Sequence, residues 1–212
     1  MKLKQNLDEM LYSLIIDSLI LHEYEMGEQI SLDSLATKYG VSRTPVLQAV
    51  RLLSSDGVLE LMPNGRVRVP MITADQKYQI IEVRSLIESY ALNKLFINKK
   101  ASVYDKYCQN LKKISEESHL YTMKNDLLNF NRADLKFHRE IIKGSENDFL
   151  SELYKKIQGR FVIANYLGTN WTADDFQRAD HAHASIVNAL IEHDEAKANE
   201  LLREHINTTY SK

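Results

Sequence analysis

Apolar residues recur at helical spacing through most of the chain, and only one short region alternates. Leu7, Met10, Leu11, Leu14, Ile15, Leu19 and Leu21 predict a first helix that ends near His22. Glu25-Met26-Gly27-Glu28 reads as a turn, with Gly27 at the positive-φ position. Ser31 is placed to cap a second short helix carrying Leu32, Leu35, Ala36 and Tyr39, and Gly40 to end it. Val46, Ala49, Val50 and Leu53 line the inner side of a third helix. Ser42 or Thr44 can cap it, and Pro45 fits its first turn. Asp56-Gly57 closes it. Val58-Leu59-Glu60-Leu61 and Arg66-Val67-Arg68-Val69 then alternate as two short strands about a Pro63-Asn64-Gly65 turn. Helix, glycine turn, helix and hairpin together predict a winged helix-turn-helix over residues 1–72.

After a link at 70–74, every segment reads as helix. Ile80, Ile81, Val83, Leu86, Ile87, Tyr90, Ala91 and Leu95 stripe the first; Val103, Tyr107, Leu111 and Ile114 the second. Leu127, Leu128, Phe130, Leu135, Phe137, Ile141 and Ile142 belong to the third, which Gly144-Ser145-Glu146-Asn147 breaks. Phe149 to Ile163 carry a fourth, and Gly168-Thr169-Asn170 breaks again. A fifth is expected from about 172 to 193 and a sixth from 195 to 211. The expected fold is mostly α, with residues 75–212 forming an all-α bundle of six or seven helices large enough for its own core.

Composition narrows the class. The chain has 212 residues, 44% hydrophobic and 26% charged, with Gly and Pro scarce, which fits a globular helical protein. Cys108 is the one cysteine, so no internal disulfide forms, and a reducing, cytoplasmic setting is expected. No apolar run approaches membrane-spanning length and the N-terminus does not read as a signal peptide. The net charge of −2 does not announce a nucleic-acid binder, but its distribution gives a local footprint, weaker than that of a wholly basic domain. Residues 38–70 hold Lys38, Arg43, Arg51, Arg66 and Arg68 against Asp56 and Glu60, whereas residues 1–37 are strongly acidic. The positive charge falls on the third helix and the hairpin. Ser42, Arg43 and Thr44 stand at the tip of that helix, where a helix end attracts phosphate and can enter a DNA groove.

Here the sequence resembles a known family. Val41-Ser42-Arg43-Thr44-Pro45-Val46, with Leu35-Ala36 before it and Asp56-Gly57-Val58-Leu59 after it, looks like the winged helix of the GntR superfamily of bacterial transcription regulators. The resemblance implies that Arg43 reads a guanine and that Ser42 and Thr44 contact phosphate or base. It makes Arg51, Gly65 and Arg66 the other candidate DNA contacts. The family usually has Arg where this chain has Leu47, and Glu where it has Gln48. That departure leaves open whether the usual operator consensus carries over to this chain. The competing reading of the pattern alone is a winged helix used only for protein contacts.

Histidine placement suggests chemistry in the second half. Asp134 and His138 are four apart on one helix and so leave it on one face. His183 and His205 lie equally far from the turn near Asp194, so in an antiparallel helix hairpin they stand at one height. One carboxylate and three imidazoles make a site for Zn²⁺ or another first-row divalent ion. Taken singly, each reads more readily as an ordinary helix-surface histidine. His181 competes with His183, which shares its face with the inward Ile186, Ala189 and Leu190. His22, His119 and His193 have no partner in the pattern and are expected at the surface.

This half is similar to the FCD (FadR C-terminal) ligand-binding domain. The matching residues are Val83-Arg84 with Glu88 and Ala91, Asp134-Leu135-Lys136-Phe137-His138, Ser145 with Asn147, His183 with Ile186 and Ala189-Leu190, and Arg203-Glu204-His205-Ile206. The resemblance implies that Asp134, His138, His183 and His205 hold a divalent metal, zinc first, with nickel or manganese as alternatives. It also implies a cavity above the metal for a small carboxylate metabolite. Arg84 is placed to pair with that carboxylate or with Glu88 on the helix surface, and Asn165 and Trp171 can line the cavity. The expectation is a ligand-responsive regulator, a repressor that binds a palindromic DNA operator as a homodimer, with no membrane partner. The alternatives are a regulator that answers to the metal alone, and a metal-dependent hydrolytic enzyme, for which no general base or nucleophile motif is visible.

Overall fold

The computed structural model describes residues 2–97, 100–168 and 171–208, the side chains of 2–6 and 166 apart. The helix expected to reach 211, and Thr169 and Asn170 of the second break, run outside the described residues. By contacts the chain divides into two compact units, Met1–Lys77 with Lys155–Asn170, and Tyr78–Tyr154 with Trp171–Lys212.

The first unit runs α1 (Lys2–Ile20), β1 (Gln29–Ile30), α2 (Leu32–Tyr39), α3 (Arg43–Ser55), β2 (Glu60–Leu61) and β3 (Val67–Arg68). Ser31 caps α2 by accepting from the Ser34 N–H at 3.0 Å, and Gly40 ends it at φ 64°, a conformation glycine takes without strain. The strands form one antiparallel sheet in the order β1-β3-β2, with Gln29 opposite Arg68 and Glu60 opposite Arg68 on its other side. The pattern of the sequence predicts the hairpin but not β1. Two residues are too few to alternate, and only pairing with β3 makes them a strand.

Leu11, Ile15 and Leu19 of α1, Leu35 of α2, Val46, Ala49, Val50 and Leu53 of α3, and Val58, Val67 and Val69 of the hairpin form the core. Ile163, far away in sequence, joins them. It belongs to a π-helical segment, Ile163–Leu167, that continues α7 (Asp148–Val162). Gly159 on α7 sits so close to Asp56 that a Cβ there would overlap the Asp56 carbonyl oxygen. From Lys155 onward this helix thus serves the winged helix as an extra wall.

The second unit contains α4 (Ala74–Ile97, from Tyr78), α5 (Ala101–Met123), α6 (Leu127–Gly144), the first residues of α7, α8 (Ala173–Ile191) and α9 (Glu195–Thr208). α5 packs on α6 and α8, and α8 on α9. Thr172 and Asp175 form a reciprocal capping box at the start of α8. Asp194 caps α9, its carboxylate accepting from the Lys197 N–H at 2.9 Å, and so fixes the turn between the two helices. Two histidines expected to lack partners have them: His119 Nδ1 lies 2.8 Å from Asp180 Oδ2, and the His193 ring stacks on Tyr104 at 4.5 Å. Among the described residues, no helix is long and apolar enough to cross a membrane.

Candidate functional site

The tip of α3 is built to leave its N–H groups open. Ser42 occupies the N-cap in extended conformation, but its hydroxyl makes no capping hydrogen bond, and the first turn holds no acidic residue. The expected cap from Ser42 is therefore a position without the bond. The unbonded N–H groups keep their partial positive charge for an outside anion. Ser42, Arg43 and Thr44 are all exposed, as are Arg51, Gly65 and Arg66. Arg43 Nη1 leans toward Asp33 Oδ1 at 3.5 Å while its side chain stays 60% exposed. At the wing, Arg68 is engaged by Glu60 at 2.5 and 2.8 Å, and Arg66 Nη1 touches Gln29 Oε1 at 3.2 Å. Gly65 turns the hairpin at φ 76° with open space beyond it. Leu47, one turn into α3, is partly buried against the core and contributes to packing.

In the second unit, the structure brings Asp134, His138, His183 and His205 together in a fully buried tetrad whose ligand atoms all lie within 4.8 Å of one another. His205 Nε2 is 3.1 Å from both His138 Nε2 and His183 Nε2, and Asp134 Oδ1 is 3.4 Å from His183 Nε2 and 3.7 Å from His138 Nε2. Donors that share an ion at ordinary Zn–N and Zn–O distances stand about 3.0–3.4 Å apart for octahedral to tetrahedral angles. The tetrad is close to that spacing. Converging acceptors in a buried pocket repel unless protons or a cation lie among them, so the donor set fits a divalent ion.

The surroundings set the charge of each member. Burial works against an ionised Asp134, yet its hydrogen bonds to His138 and His183 prevail and hold its pKa well below the usual carboxylate range. Burial pushes His183 down in spite of Asp134. Burial, with the neighbouring His183 and His138, pushes His205 well below an ordinary histidine. Burial and Arg84 oppose a proton on His138, but Glu88 and Asp134 outweigh them and raise it.

Behind His138 stands an outer layer. Glu88 Oε2 is 2.6 Å from His138 Nδ1, the arrangement that fixes the tautomer and aim of a ligating imidazole. Glu88 Oε1 accepts from Arg84 Nε at 2.6 Å and from the Tyr154 hydroxyl at 2.5 Å. Burial disfavours its charge, but Arg84 and His138 hold its pKa at about 2. The Arg84–Glu88 pair expected on the helix surface is thus buried, with Arg84 2% exposed and Glu88 0%. The sequence pattern did not identify Glu88 as a site residue, nor Tyr154. The signal was present for Glu88: Ile81, Arg84, Glu88, Ala91 and Leu95 share one helical stripe, and apolar members at both ends mean the charges between them face inward. On the other side, Phe137 stacks on the His183 ring at 4.1 Å.

The other candidate residues have neighbours of their own. Trp171 packs 5.2 Å from Phe176, beside the small cluster of Phe130, Phe176 and Ala179. Asn165 is buried in the π-helical segment and belongs to the first unit.

Two known families match the chain in succession. Residues 7–69 match the bacterial regulatory proteins of the gntR family, and residues 79–208 match the FCD domain. The HTH-type transcriptional regulator YdhC of Bacillus subtilis is 25% identical over 151 residues, 71% of this chain. That match spans 65% of the relative's own length. The gluconate operon transcriptional repressor of Bacillus subtilis is 23% identical over 192 residues, 89% of this chain and 77% of the repressor. Among solved structures, McbR/YncC of E. coli shares the fold with a TM-score of 0.79 at 20% identity, over 95% of this chain and 94% of that one. The matched families are regulators and not enzymes, and the chain belongs to the GntR family of DNA-binding bacterial transcription regulators that carry an FCD domain.

Proposed function

We propose that this regulator senses a small organic acid at a metal centre in its helical half and binds a palindromic operator as a homodimer, acting as a repressor. The observation that carries the reading is the buried tetrad of Asp134, His138, His183 and His205, with Glu88 fixing His138 from behind. These four residues would hold a divalent ion, with zinc the first candidate for a set of three imidazoles and one carboxylate, and nickel or manganese the alternatives. When bound, such an ion supplies a Lewis-acidic position that a ligand carboxylate can complete. Glu88 and Tyr154 keep His138 aimed, and the Arg84 charge balances Glu88. We assign the DNA-binding role to residues 1–72 and effector binding and dimerisation to 75–212.

On the DNA side, Arg43 is the base reader, Ser42 and Thr44 contact phosphate or base, and Arg51, Gly65 and Arg66 support the contact. The open tip of α3 supports this reading. Dimerisation is supported by an exposed apolar stripe on α4, where Val83 is 41%, Leu86 71%, Tyr90 47% and Ile97 67% exposed at helical spacing. The repressor sense is supported by the similarity to the gluconate operon transcriptional repressor of Bacillus subtilis. A ligand that prefers one arrangement of the dimer shifts operator affinity by a coupling of about 1–3 kcal/mol.

The test is a gel-shift titration of operator DNA with as-purified protein, apoprotein and zinc-reloaded protein, each with and without small carboxylic acids. The reading expects acids to release DNA only from metal-loaded protein. Release by metal alone, with no acid effect, would favour a purely metal-responsive regulator. An acid response that survives complete metal removal would sink the metal centre.

A further inference from the structure

α3 presents more to the outside than its tip. Val46, Ala49, Val50 and Leu53 are all 0% exposed and fix its inner side. At 3.6 residues per turn they fall within an arc of about 100°. Directly opposite, within about 30° of the outward midline, stand Thr44, Gln48, Arg51 and Ser55, and all four are exposed. Arg43 stands about 110° off that midline and is open because it is the first residue of the helix. Leu47 lies toward the same side and is partly buried against the core. The residue that faces straight out one turn beyond Thr44 is therefore Gln48.

Among the described residues none hydrogen-bonds the Gln48 side chain. Its neighbour one turn on, Leu52, is 48% exposed and offers no polar group to it. The amide thus keeps its acceptor and its donors, side by side, for a partner beyond the helix. In the major groove adenine presents the complementary pair, an N7 acceptor and an N6 donor. Guanine presents two acceptors and would leave the amide oxygen bare, at a cost once water is excluded. Cytosine and thymine each present a single polar group there. The exposed Leu52 beside the amide suits a thymine methyl, the apolar feature of an A·T pair.

We infer that Gln48 reads an adenine in each operator half-site, as a second specificity-determining residue beside Arg43. The inference rests on the reading of α3 as the helix that enters the groove and of Arg43 as its guanine reader. Five residues at about 1.5 Å of rise each separate Gln48 from Arg43 by about 7.5 Å along the helix. Base pairs stack about 3.4 Å apart, so the adenine lies within about three base pairs of the guanine.

The test selects binding sites with the whole chain from a duplex library randomised over about 20 base pairs, room for two half-sites one helical turn apart. Wild type, Gln48→Ala, Gln48→Glu and Arg43→Ala are compared, and unchanged melting temperatures are expected for these exposed side chains. The wild-type consensus should hold an adenine column that Gln48→Ala flattens. Gln48→Glu should move that column toward cytosine, because a carboxylate only accepts and cytosine N4 donates. The guanine column should survive both Gln48 variants and fall in Arg43→Ala. On the selected duplex, replacing the A·T pair by G·C should weaken wild type by about five- to a hundredfold and Gln48→Ala by less than about twofold. 7-Deazaadenine at the same position deletes only the N7 acceptor, and it should likewise weaken wild type and spare Gln48→Ala. An adenine column unchanged in Gln48→Ala, a Gln48-dependent column of another base, or an equal loss of affinity on every duplex, as a phosphate contact would give, overturns the inference. A guanine column lost in Arg43→Ala, with no column that depends on Gln48, overturns Gln48 as a reader and leaves Arg43 standing. A wild type that enriches no sequence overturns the reading of the tip, and Gln48 with it.

Discussion

The tip of α3 and the histidine tetrad are both made of ionisable residues, yet they are opposites in construction. At the tip, Arg43 keeps 60% of its side chain exposed and its only described ionic neighbour, Asp33, is itself 72% exposed. In the tetrad every member is buried, and Glu88, itself held by Arg84 and Tyr154, backs His138. On the proposed roles, the difference follows from what each would meet. A groove reader has to find a long polyanion, so its cations stay solvated and its helix end stays uncapped. A small ion or acid can be enclosed, and enclosure strengthens every charge interaction with it. Substitutions at the tip should therefore change binding and leave folding alone, whereas substitutions in the tetrad should change both.

The largest effect is expected from Asp134→Ala combined with His183→Ala. It removes the one carboxylate and one of three imidazoles, and zinc uptake measured by elemental analysis should be lost. Asp134 is held ionised by His138 and His183, so the double variant also breaks its buried pairing with His138, which keeps Glu88. Breaking a buried pair of this kind costs about 3–5 kcal/mol. Thermal unfolding of the metal-free protein should report a clear loss, and an unchanged melting curve with unchanged zinc content would refute the site.

Next comes Glu88→Gln. The amide keeps the shape and can still accept from Tyr154, but it no longer presents a charge to His138 Nδ1 or to Arg84. Outer partners of metal-ligating histidines are worth about 10–100-fold in metal affinity. A competition titration with a zinc chelator should show a drop in that range with the metal site still present. A drop as large as that of the Asp134 and His183 double variant would mean that Glu88 is itself a ligand.

How far these roles could be read in the sequence differs along the same line. Asp134 with His138 was legible because a helix repeats every turn, and His183 with His205 because a short turn capped by Asp194 forces two helices to run back along each other. The α3 tip was legible because its residues are consecutive. Glu88 was obscured by its chemistry: a Glu four residues from an Arg is an ordinary surface pair until the fold shows which stripe faces in. Tyr154 and Ile163 were obscured by distance in sequence, as each meets partners from a remote helix or domain. β1 exists only through its pairing with β3. What was lost is in each case tertiary, an inward face or a remote partner, and local periodicity carries neither.

Arg43→Ala ranks third. A good bidentate contact to guanine discriminates by about 1–3 kcal/mol, so operator affinity should fall by one to two orders of magnitude at fixed salt. The melting temperature should not move, because the side chain is mostly solvated. If affinity for the operator and for random DNA fell equally, Arg43 would be a phosphate contact and not a reader.

The smallest effect, and the sharpest probe of the tip, is Asp33→Asn. Asp33 Oδ1 sits 3.5 Å from Arg43 Nη1 in the first turn of α2, and both side chains are largely in water. Such pairs are worth about 0–1 kcal/mol, so stability should hardly change. Operator binding should improve by about two- to fivefold, the same energy in another form, because the guanidinium no longer has to leave a carboxylate and one negative charge facing the DNA is gone. Salt gives the sign an independent check. The pair is screened at high ionic strength, so the gain should be greatest in dilute buffer and fade as salt rises. A gain that is independent of salt would point to a changed shape of the tip, and a loss of affinity would mean that Asp33 orients Arg43 for the groove rather than restraining it.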